Sequence, residues 1–169
     1  MKQKWTKEEI WSWYKAQPWI TGFNFIPSGA VDGGIWLLQE YDHERAFRES
    51  AKEIALAASL GFNSIRFFVP FYLWRVQHDS FMKNFEEFLS LLDLYHMTMM
   101  PVLFNDCCVA KSKYTEPVLG PQPEPVPGYL GGTPVTPFDE DTQNGDNTSY
   151  DITAEPEMEA VVHTYVKEL

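Results

Sequence analysis

Cysteine is scarce in this chain, which has two cysteines among its 169 residues, Cys107 and Cys108. Adjacent cysteines cannot join distant segments, so a disulfide framework is excluded and two buried or half-buried thiols are expected. No histidine is near Cys107 in the sequence, which favours a structural thiol over a nucleophile.

Long apolar runs are also missing. No run reaches the roughly 18 residues that a membrane span needs. Residues 1–5 lead into a charged amphipathic stretch, without the apolar centre of a secretion signal. The sequence predicts a cytoplasmic protein without a membrane partner, or a secreted one if a leader was removed.

An excess of positive charge is absent too. The chain has 24 acidic and 13 basic residues, a net charge of −11, and residues 114–166 hold ten acidic residues and no Lys or Arg. Phosphate binding depends on clustered cations, so nucleic acid is excluded as a partner. A neutral sugar remains compatible with such a surface.

Metal and nucleotide motifs are lacking as well. The histidines show no i,i+4 pairing and no ligand spacing with the cysteines; they are His43, His78, His96 and His163. The glycine pairs at 33–34 and 131–132 lack the spacing and the lysine of a phosphate loop. Neither a metal nor another cofactor is predicted.

What the chain does have is apolar residues in alternating helix and strand patterns. Hydrophobic residues make up 44% and aromatic residues 15%, enough for the core of one domain or of part of a larger one. Helices are predicted from a capping box at Thr6 to Pro18, from Asp42 to Gly61, and from Asp79 to Tyr95. Strands are predicted over 19–27, 61–70 and 97–105, with loops over 28–41 and around residues 71–78. This alternation predicts an α/β fold with three parallel strands and flanking helices.

Arg66 is the charged residue within the apolar run of the second predicted strand. A guanidinium is costly to bury unpaired, so Arg66 should face a carboxylate or a water-filled cavity. Either its stem packs while its head reaches solvent at the strand end, or it lies at the floor of an active site.

A long segment follows the third strand. Seven of the twelve prolines fall between residues 109 and 138, and a polar run covers 139–147. A connection as long as 109–155 is usually either functional cover over a site or disordered. Pro156 then begins an amphipathic helix. Three strands leave a sheet edge uncovered, so the sequence predicts the front part of a longer architecture that could self-associate through this edge.

Four motifs, taken together, carry a family resemblance. They are PWITGFNFIPS at 18–28, LGFNSIR at 60–66, VLFNDC at 102–107 and GPQPEPVPG at 120–128. The chain resembles the N-terminal part of cellulase-superfamily TIM-barrel glycoside hydrolases, close to the cellulase-like and xylanase-like group near glycoside hydrolase family 5. The resemblance implies that residues 1–169 form part of a (β/α)8 barrel domain.

The resemblance also implies a function. Retaining hydrolysis of a β-glycosidic bond requires two glutamates, and both are expected beyond residue 169, so this chain alone should be inactive. Arg66 matches the arginine that orients the nucleophile in this family. The oligo- or polysaccharide would contact residues at the strand ends and in the rim loops; these are Asn24, Trp36, Glu40, Tyr72, Trp74, Asn105 and Asp106.

Some roles stay open on the residues alone. Trp36, Tyr72 and Trp74 could stack on sugar rings or anchor loops, and Glu40 could contact sugar or precede a helix cap. Trp5, Trp11 and Trp13 follow helical spacing and are expected to pack against the base of the barrel. The alternative to a hydrolase is a non-catalytic carbohydrate-binding or interaction module built from half a barrel.

Overall fold

The computed structural model describes residues 4–104, 115–127 and 152–169. Its helices are α1 (Lys7–Ala16), α2 (Gly33–Leu38), α3 (His43–Ser59), α4 (Phe71–Val76), α5 (His78–Leu94) and α6 (Glu159–Glu168). Its strands are β1 (Gly22–Asn24), β2 (Ser64–Phe68) and β3 (Thr98–Val102). Two short 3-10 helices, Ile152–Ala154 and Pro156–Met158, precede α6. None of the described helices is both long enough and apolar enough to cross a membrane.

The three strands form one parallel sheet in the order β1-β2-β3. In the register of the sheet, Arg66 lies between Asn24 on β1 and Met100 on β3. Because α3 lies between β1 and β2 in the chain and α5 between β2 and β3, the strands are joined by βαβ units. The predicted α/β fold with three parallel strands and flanking helices is confirmed.

The core lies between one face of this sheet and the helices α3 and α5. Ile65 and Phe67 of β2 are each 1% exposed and belong to the same cluster as Ile54 of α3. The Phe67 ring lies 5.1 Å from the ring of Phe88 on α5. We call this side of the sheet the covered face. Since successive strand residues point to opposite sides, Arg66 faces away from these helices.

The start of β2 explains part of the LGFNSIR motif. Gly61 follows α3 with a φ of +91°, a conformation that glycine adopts without the steric cost of a Cβ atom. The Asn63 side chain then donates to the Trp19 carbonyl and accepts from the Thr21 N–H, both at 2.8 Å. Asn63 therefore holds the segment that enters β1 against the start of β2.

Two short helices occupy segments that the sequence predicted to be loops. α2 lies within residues 28–41, and α4 covers residues 71–76. Helices of six residues are too short to display a clear periodicity. Their formation depends on burial instead, since Leu37 of α2 and Leu73 of α4 are both 0% exposed.

The first helix forms as predicted, but its tryptophans do not pack as predicted. Thr6 and Glu9 make both hydrogen bonds of the capping box. The expectation that Trp5, Trp11 and Trp13 pack against the base of the fold is wrong, since they are 55%, 51% and 50% exposed. Not one residue of α1 is buried.

The helix predicted from Asp79 also differs in detail. It begins one residue earlier, at His78, and its N-cap residue is Gln77 rather than Asp79. Leu89 was expected on the inner face but is 41% exposed, and Leu91 is buried instead. The remaining predicted inner residues, Phe81, Phe85, Phe88 and Leu92, are buried.

Most of the predicted loop over 109–155 lies outside the described residues, as do Cys107 and Cys108. Two parts of it are described: residues 152–155, which include the 3-10 helix Ile152–Ala154, and residues 115–127, called the Pro-rich segment below. Its Pro123 carbonyl accepts from the Val31 N–H at 3.1 Å. The Gln39 side chain exchanges two hydrogen bonds with the Gly120 backbone, at 2.8 and 2.9 Å. The Pro-rich segment is thus attached to α2 and to the loop that precedes it.

The last helix packs beside the ends of β2 and β3. Tyr165 of α6 is 0% exposed, and its ring lies 4.9 Å from Phe71 and 5.5 Å from Phe104. Its hydroxyl donates to the Val69 carbonyl at 3.2 Å. Burial raises the pKa of Tyr165 well above its ordinary value, so this hydroxyl stays a hydrogen-bond donor.

Candidate functional site

Arg66 lies on the side of the sheet opposite to the covered face. It is exposed, whereas its neighbours Ile65 and Phe67 are buried under α3 and α5. Asn24 and Met100, which flank it in the register, are exposed as well. We call the side that carries Asn24, Arg66 and Met100 the open face.

Two neighbours hold the Arg66 side chain in place. Its Nη1 donates to Asn24 Oδ1 at 3.3 Å, and its guanidinium lies 4.5 Å from the centre of the Phe68 ring. Among the described residues, no carboxylate pairs with Arg66 within 4.0 Å. In the described part of the chain, the head of Arg66 therefore reaches solvent, as in the first alternative that the sequence left open.

A cleft of about 400 Å³ opens where β1 and β2 end. It is lined by the strand ends and the start of α2; its residues are Phe25, Ile26, Val31, Asp32, Gly33, Gly34, Phe67 and Phe68. Open α/β sheets and barrels bind their ligands outside the carboxyl ends of the strands. Because Phe68 contacts the Arg66 guanidinium and also lines this strand-end cleft, Arg66 lies at its border.

Asp32 is the ionisable residue of the strand-end cleft. As the N-cap of α2, it accepts a hydrogen bond from the Ile35 N–H at 2.9 Å. Its side chain keeps contact with solvent, yet enclosure by the surrounding chain raises its pKa, while hydrogen bonds from the N–H groups of Ile35 and Gly34 oppose that rise. A carboxyl group fixed in this way can accept hydrogen bonds from ligand hydroxyls.

The two glycines after Asp32 shape the cleft by close packing. A Cβ atom at Gly34 would lie 2.7 Å from the Phe68 carbonyl oxygen, and one at Gly33 would overlap Pro27. A side chain at Gly34 would push α2 away from the end of β2, and one at Gly33 would push it away from Pro27, which follows β1. The glycine pair therefore sets the width of the cleft.

Trp36 does not offer a ring face to a ligand. It is 4% exposed, which contradicts the expectation of an exposed rim aromatic. Gly29 packs so closely on the ring that a Cβ atom there would overlap it, and the Arg45 guanidinium lies 5.9 Å from the ring centre. Trp36 anchors α2 to the loop before it, which was the structural alternative.

Trp74 is also buried, at 5% exposure, so the second expected stacking residue is an anchor too. Its ring lies 5.1 Å from the Tyr165 ring, and its indole N–H donates to Glu168 at 2.9 Å. Trp36 is covered by residues near it in the sequence, whereas Trp74 is covered by the distant α6. Trp74 thus holds α6 against α4.

Tyr72 and Glu40 make contacts within the chain. Tyr72 is half-buried, and two effects raise its pKa. The larger effect is removal from water, and the smaller is its hydrogen bond to Glu116. Glu40 accepts from the Ser80 hydroxyl at 2.8 Å, and its own N–H donates to Gln77 Oε1 at 3.0 Å. Tyr72 contacts the Pro-rich segment, while Glu40 connects the end of α2 to α5.

The predicted site residues are thus only partly brought together. Asn24 and Arg66 are in contact, whereas Asn105 and Asp106 lie outside the described residues. Sequence reasoning overlooked Asp32, although aspartate is one of the preferred N-cap residues of a helix. It also overlooked Phe68, which follows Arg66 by two residues and therefore shares its face of β2.

No group of three or more His, Cys, Asp or Glu side chains within the described ranges could hold a metal ion. Comparisons of the whole chain with protein-family models, with curated proteins and with solved structures find no match.

Proposed function

We propose that this chain is the front portion of a glycoside hydrolase that cleaves β-linked glycans by a retaining, two-glutamate mechanism. In this proposal the sheet is the beginning of a (β/α)8 barrel, and both catalytic glutamates lie beyond residue 169. The chain alone then binds but does not cleave. The observation that supports the proposal is the position of Arg66 on the open face.

In a closed barrel, helices cover the outside of the strands and the other strand face lines the interior. The covered face, under α3 and α5, corresponds to the outside. Asn24 and Arg66 then point inward near the carboxyl ends of β1 and β2. An arginine on the helix side of β2 would have argued against this function.

The chemistry assigned to Arg66 is that of a positioning residue. A retaining glycosidase needs two carboxyl groups about 5 Å apart, one acting as acid and base and the other as nucleophile. A charge-assisted hydrogen bond from Arg66 would keep the nucleophile ionised and oriented. Asn24 holds the guanidinium through the hydrogen bond from Nη1, and in this proposal Asp32 accepts hydrogen bonds from sugar hydroxyls in the strand-end cleft.

The test uses the chain extended to include its catalytic glutamates, assayed on β-linked oligosaccharides. Replacing Arg66 with Ala should lower kcat/KM by about 100-fold, the usual cost of one preorganised electrostatic contact. It should also move the acidic limb of the pH profile to higher pH, because the nucleophile becomes more basic. Arg66→Lys should recover part of both effects.

Arg48→Ala is the matched control, since Arg48 is an exposed arginine of α3 that pairs only weakly with Glu44, at 3.9 Å. Its kinetics should equal those of the unmodified protein. Unchanged turnover in Arg66→Ala would remove the role assigned to Arg66. Absence of turnover on every β-linked substrate would refute the hydrolase proposal.

A second candidate, a carbohydrate-binding module without catalysis, is favoured by the location of the strand-end cleft wholly within the described residues. Titration of the 169-residue chain with β-linked oligosaccharides tests it. Binding that is lost in Asp32→Asn, combined with no turnover by the extended chain, would favour the binding module.

A further inference from the structure

The N-terminal helix exposes an unusual amount of aromatic surface. Trp5, Trp11, Trp13 and Tyr14 are 50–59% exposed, and Ile10 is 49% exposed. We call these five residues the α1 surface. The rings contact one another edge to face, with 6.0 Å between Trp5 and Trp13 and 5.7 Å between Trp11 and Tyr14. The α1 surface is therefore an ordered patch and not a set of isolated side chains.

The exposed area of the α1 surface is large enough to form the centre of a small protein–protein interface. A large aromatic side chain carries about 150–250 Å² of surface, so the α1 surface presents roughly 500 Å² of apolar area. The largest apolar patch of a soluble monomer is about 300–600 Å² and is often a functional surface. A standard interface buries about 800 Å² per partner. The α1 surface would supply most of this area, and the polar side chains beside its rings can supply the rest.

The charges of α1 are complementary to those of a second α1. Its first turn carries Glu8 and Glu9, and its last turn carries Lys15. If the α1 helices of two copies pack antiparallel and cross at a point between Trp11 and Ser12, Glu8 of each copy lies opposite Lys15 of the other. A parallel arrangement would instead place like charges side by side.

A shallow hollow lies at the edge of the α1 surface and shares Trp11 with it. It is bordered by Glu8, Trp11, Ser12 and Lys15, with Lys7 at its end. The first four of these residues have the i, i+3, i+4, i+7 spacing of a hole that accepts a side chain from a facing helix. The hollow and the charges used for antiparallel pairing, Glu8 and Lys15, therefore lie on the same flank of α1, next to Trp11.

We propose that two copies of this chain form a two-fold dimer through their α1 surfaces, with the helices antiparallel. This proposal is independent of glycan hydrolysis. It uses a different surface from the sheet edge that the sequence suggested for self-association. The contact is isologous, since each copy contributes the same residues.

Sedimentation velocity of the 169-residue chain over about 1–100 µM tests the proposal, because interfaces of this modest size give weak dimers. Twice the monomer mass is expected at the upper end. Trp11→Ala should raise the dissociation constant at least tenfold. Circular dichroism should remain unchanged, since α1 has no buried residues.

Trp19→Ala is the matched control, because Trp19 is 89% exposed but lies outside α1. Lys15→Glu should weaken the dimer, and adding Glu8→Lys in the same chain should restore it by exchanging the two charges. A monomer at 100 µM overturns the proposal. Three other results would also overturn it. They are a dimer that Trp11→Ala leaves intact, a dimer that Trp11→Ala and Trp19→Ala weaken equally, and a dimer that dissociates only when Met100 on the open face is changed to Lys.

Discussion

The two faces of the sheet are built from the same strands but serve different purposes. On the covered face, Ile65 and Phe67 are each 1% exposed and pack under α3 and α5. On the open face, Asn24 and Arg66 are exposed, and Met100 is 63% exposed. Stability is therefore concentrated on one face, while the chemically informative groups lie on the other. Substitutions on the two faces should separate these properties.

The largest difference should come from two neighbouring phenylalanines of β2. Phe67→Ala opens a cavity against Phe25 and Phe88 and should lower the free energy of unfolding by about 3–5 kcal/mol. Phe68→Ala, on the open face, should cost about 1 kcal/mol because Phe68 is only half-buried. Urea denaturation of both variants measures the contrast, and equal losses would contradict it.

The next effect concerns the attachment of the Pro-rich segment. Gln39→Ala leaves the Gly120 N–H without its partner and removes one of the two donors to the Gly120 carbonyl, which should lower the free energy of unfolding by about 2 kcal/mol. It should also increase proteolysis within residues 115–127. Gln122→Ala is the control, since among the described residues Gln122 donates within its own segment, to Val118 and Gly120. If both variants behave alike, Gln39 does not secure the Pro-rich segment.

A smaller, pH-dependent effect is expected where α6 meets α5. Two hydrogen bonds raise the pKa of His78 above 6.5, and the one to Asp79 has a larger effect than the one to Glu168. The hydrogen bond from His78 in turn lowers the pKa of Glu168 below 4.5. The His78 contribution is complete below pH 6.5 and is lost as the pH rises through the raised pKa. The Glu168 contribution is complete above pH 4.5 and is lost as the pH falls through the lowered pKa.

The contact between His78 and Glu168 should therefore stabilise the fold most between about pH 4.5 and 6.5. Urea midpoints of the unmodified chain, compared with those of His78→Gln across pH 4–8, measure this. The difference between the two chains should be largest in that window and decline toward pH 8. A difference that does not vary with pH would show that the contact is not ionic.

The smallest effect on stability is expected for Arg66 itself. Arg66→Ala removes an exposed side chain from the open face and should change the free energy of unfolding by less than about 0.5 kcal/mol. A loss as large as that of Phe67→Ala would mean that Arg66 is part of the structural core. Denaturation of the two variants under the same conditions decides between these roles.

Much of the fold was predictable because its signals are local. Thr6 and Glu9 identify the start of α1, Gly61 marks the end of α3, and the apolar run after Asn63 predicts β2. Helices α2 and α4 were not predictable in this way. Each is only six residues long, so burial of Leu37 and Leu73 rather than periodicity determines their formation.

The candidate site was predictable only in part. That Arg66 should have polar surroundings followed from the cost of burying a charge, and its contact with Asn24 depends on the register of β1 and β2. The burial of Trp36 and Trp74 did not follow from helix or strand periodicity, because both lie in segments that the sequence predicted to be loops. Gly29 covers one of them and Tyr165 the other, and Tyr165 lies far away in the sequence.

The amino-acid sequence alone determined that Arg66 and Phe67 point to opposite sides of β2, because side chains alternate along any strand. Only the tertiary structure decided which side is covered, since that depends on where α3 and α5 pack. It likewise decided that the tryptophans of α1 remain in solvent while Trp36 and Trp74 are buried. Burial is a property of contacts between distant segments, and no local pattern specifies those contacts.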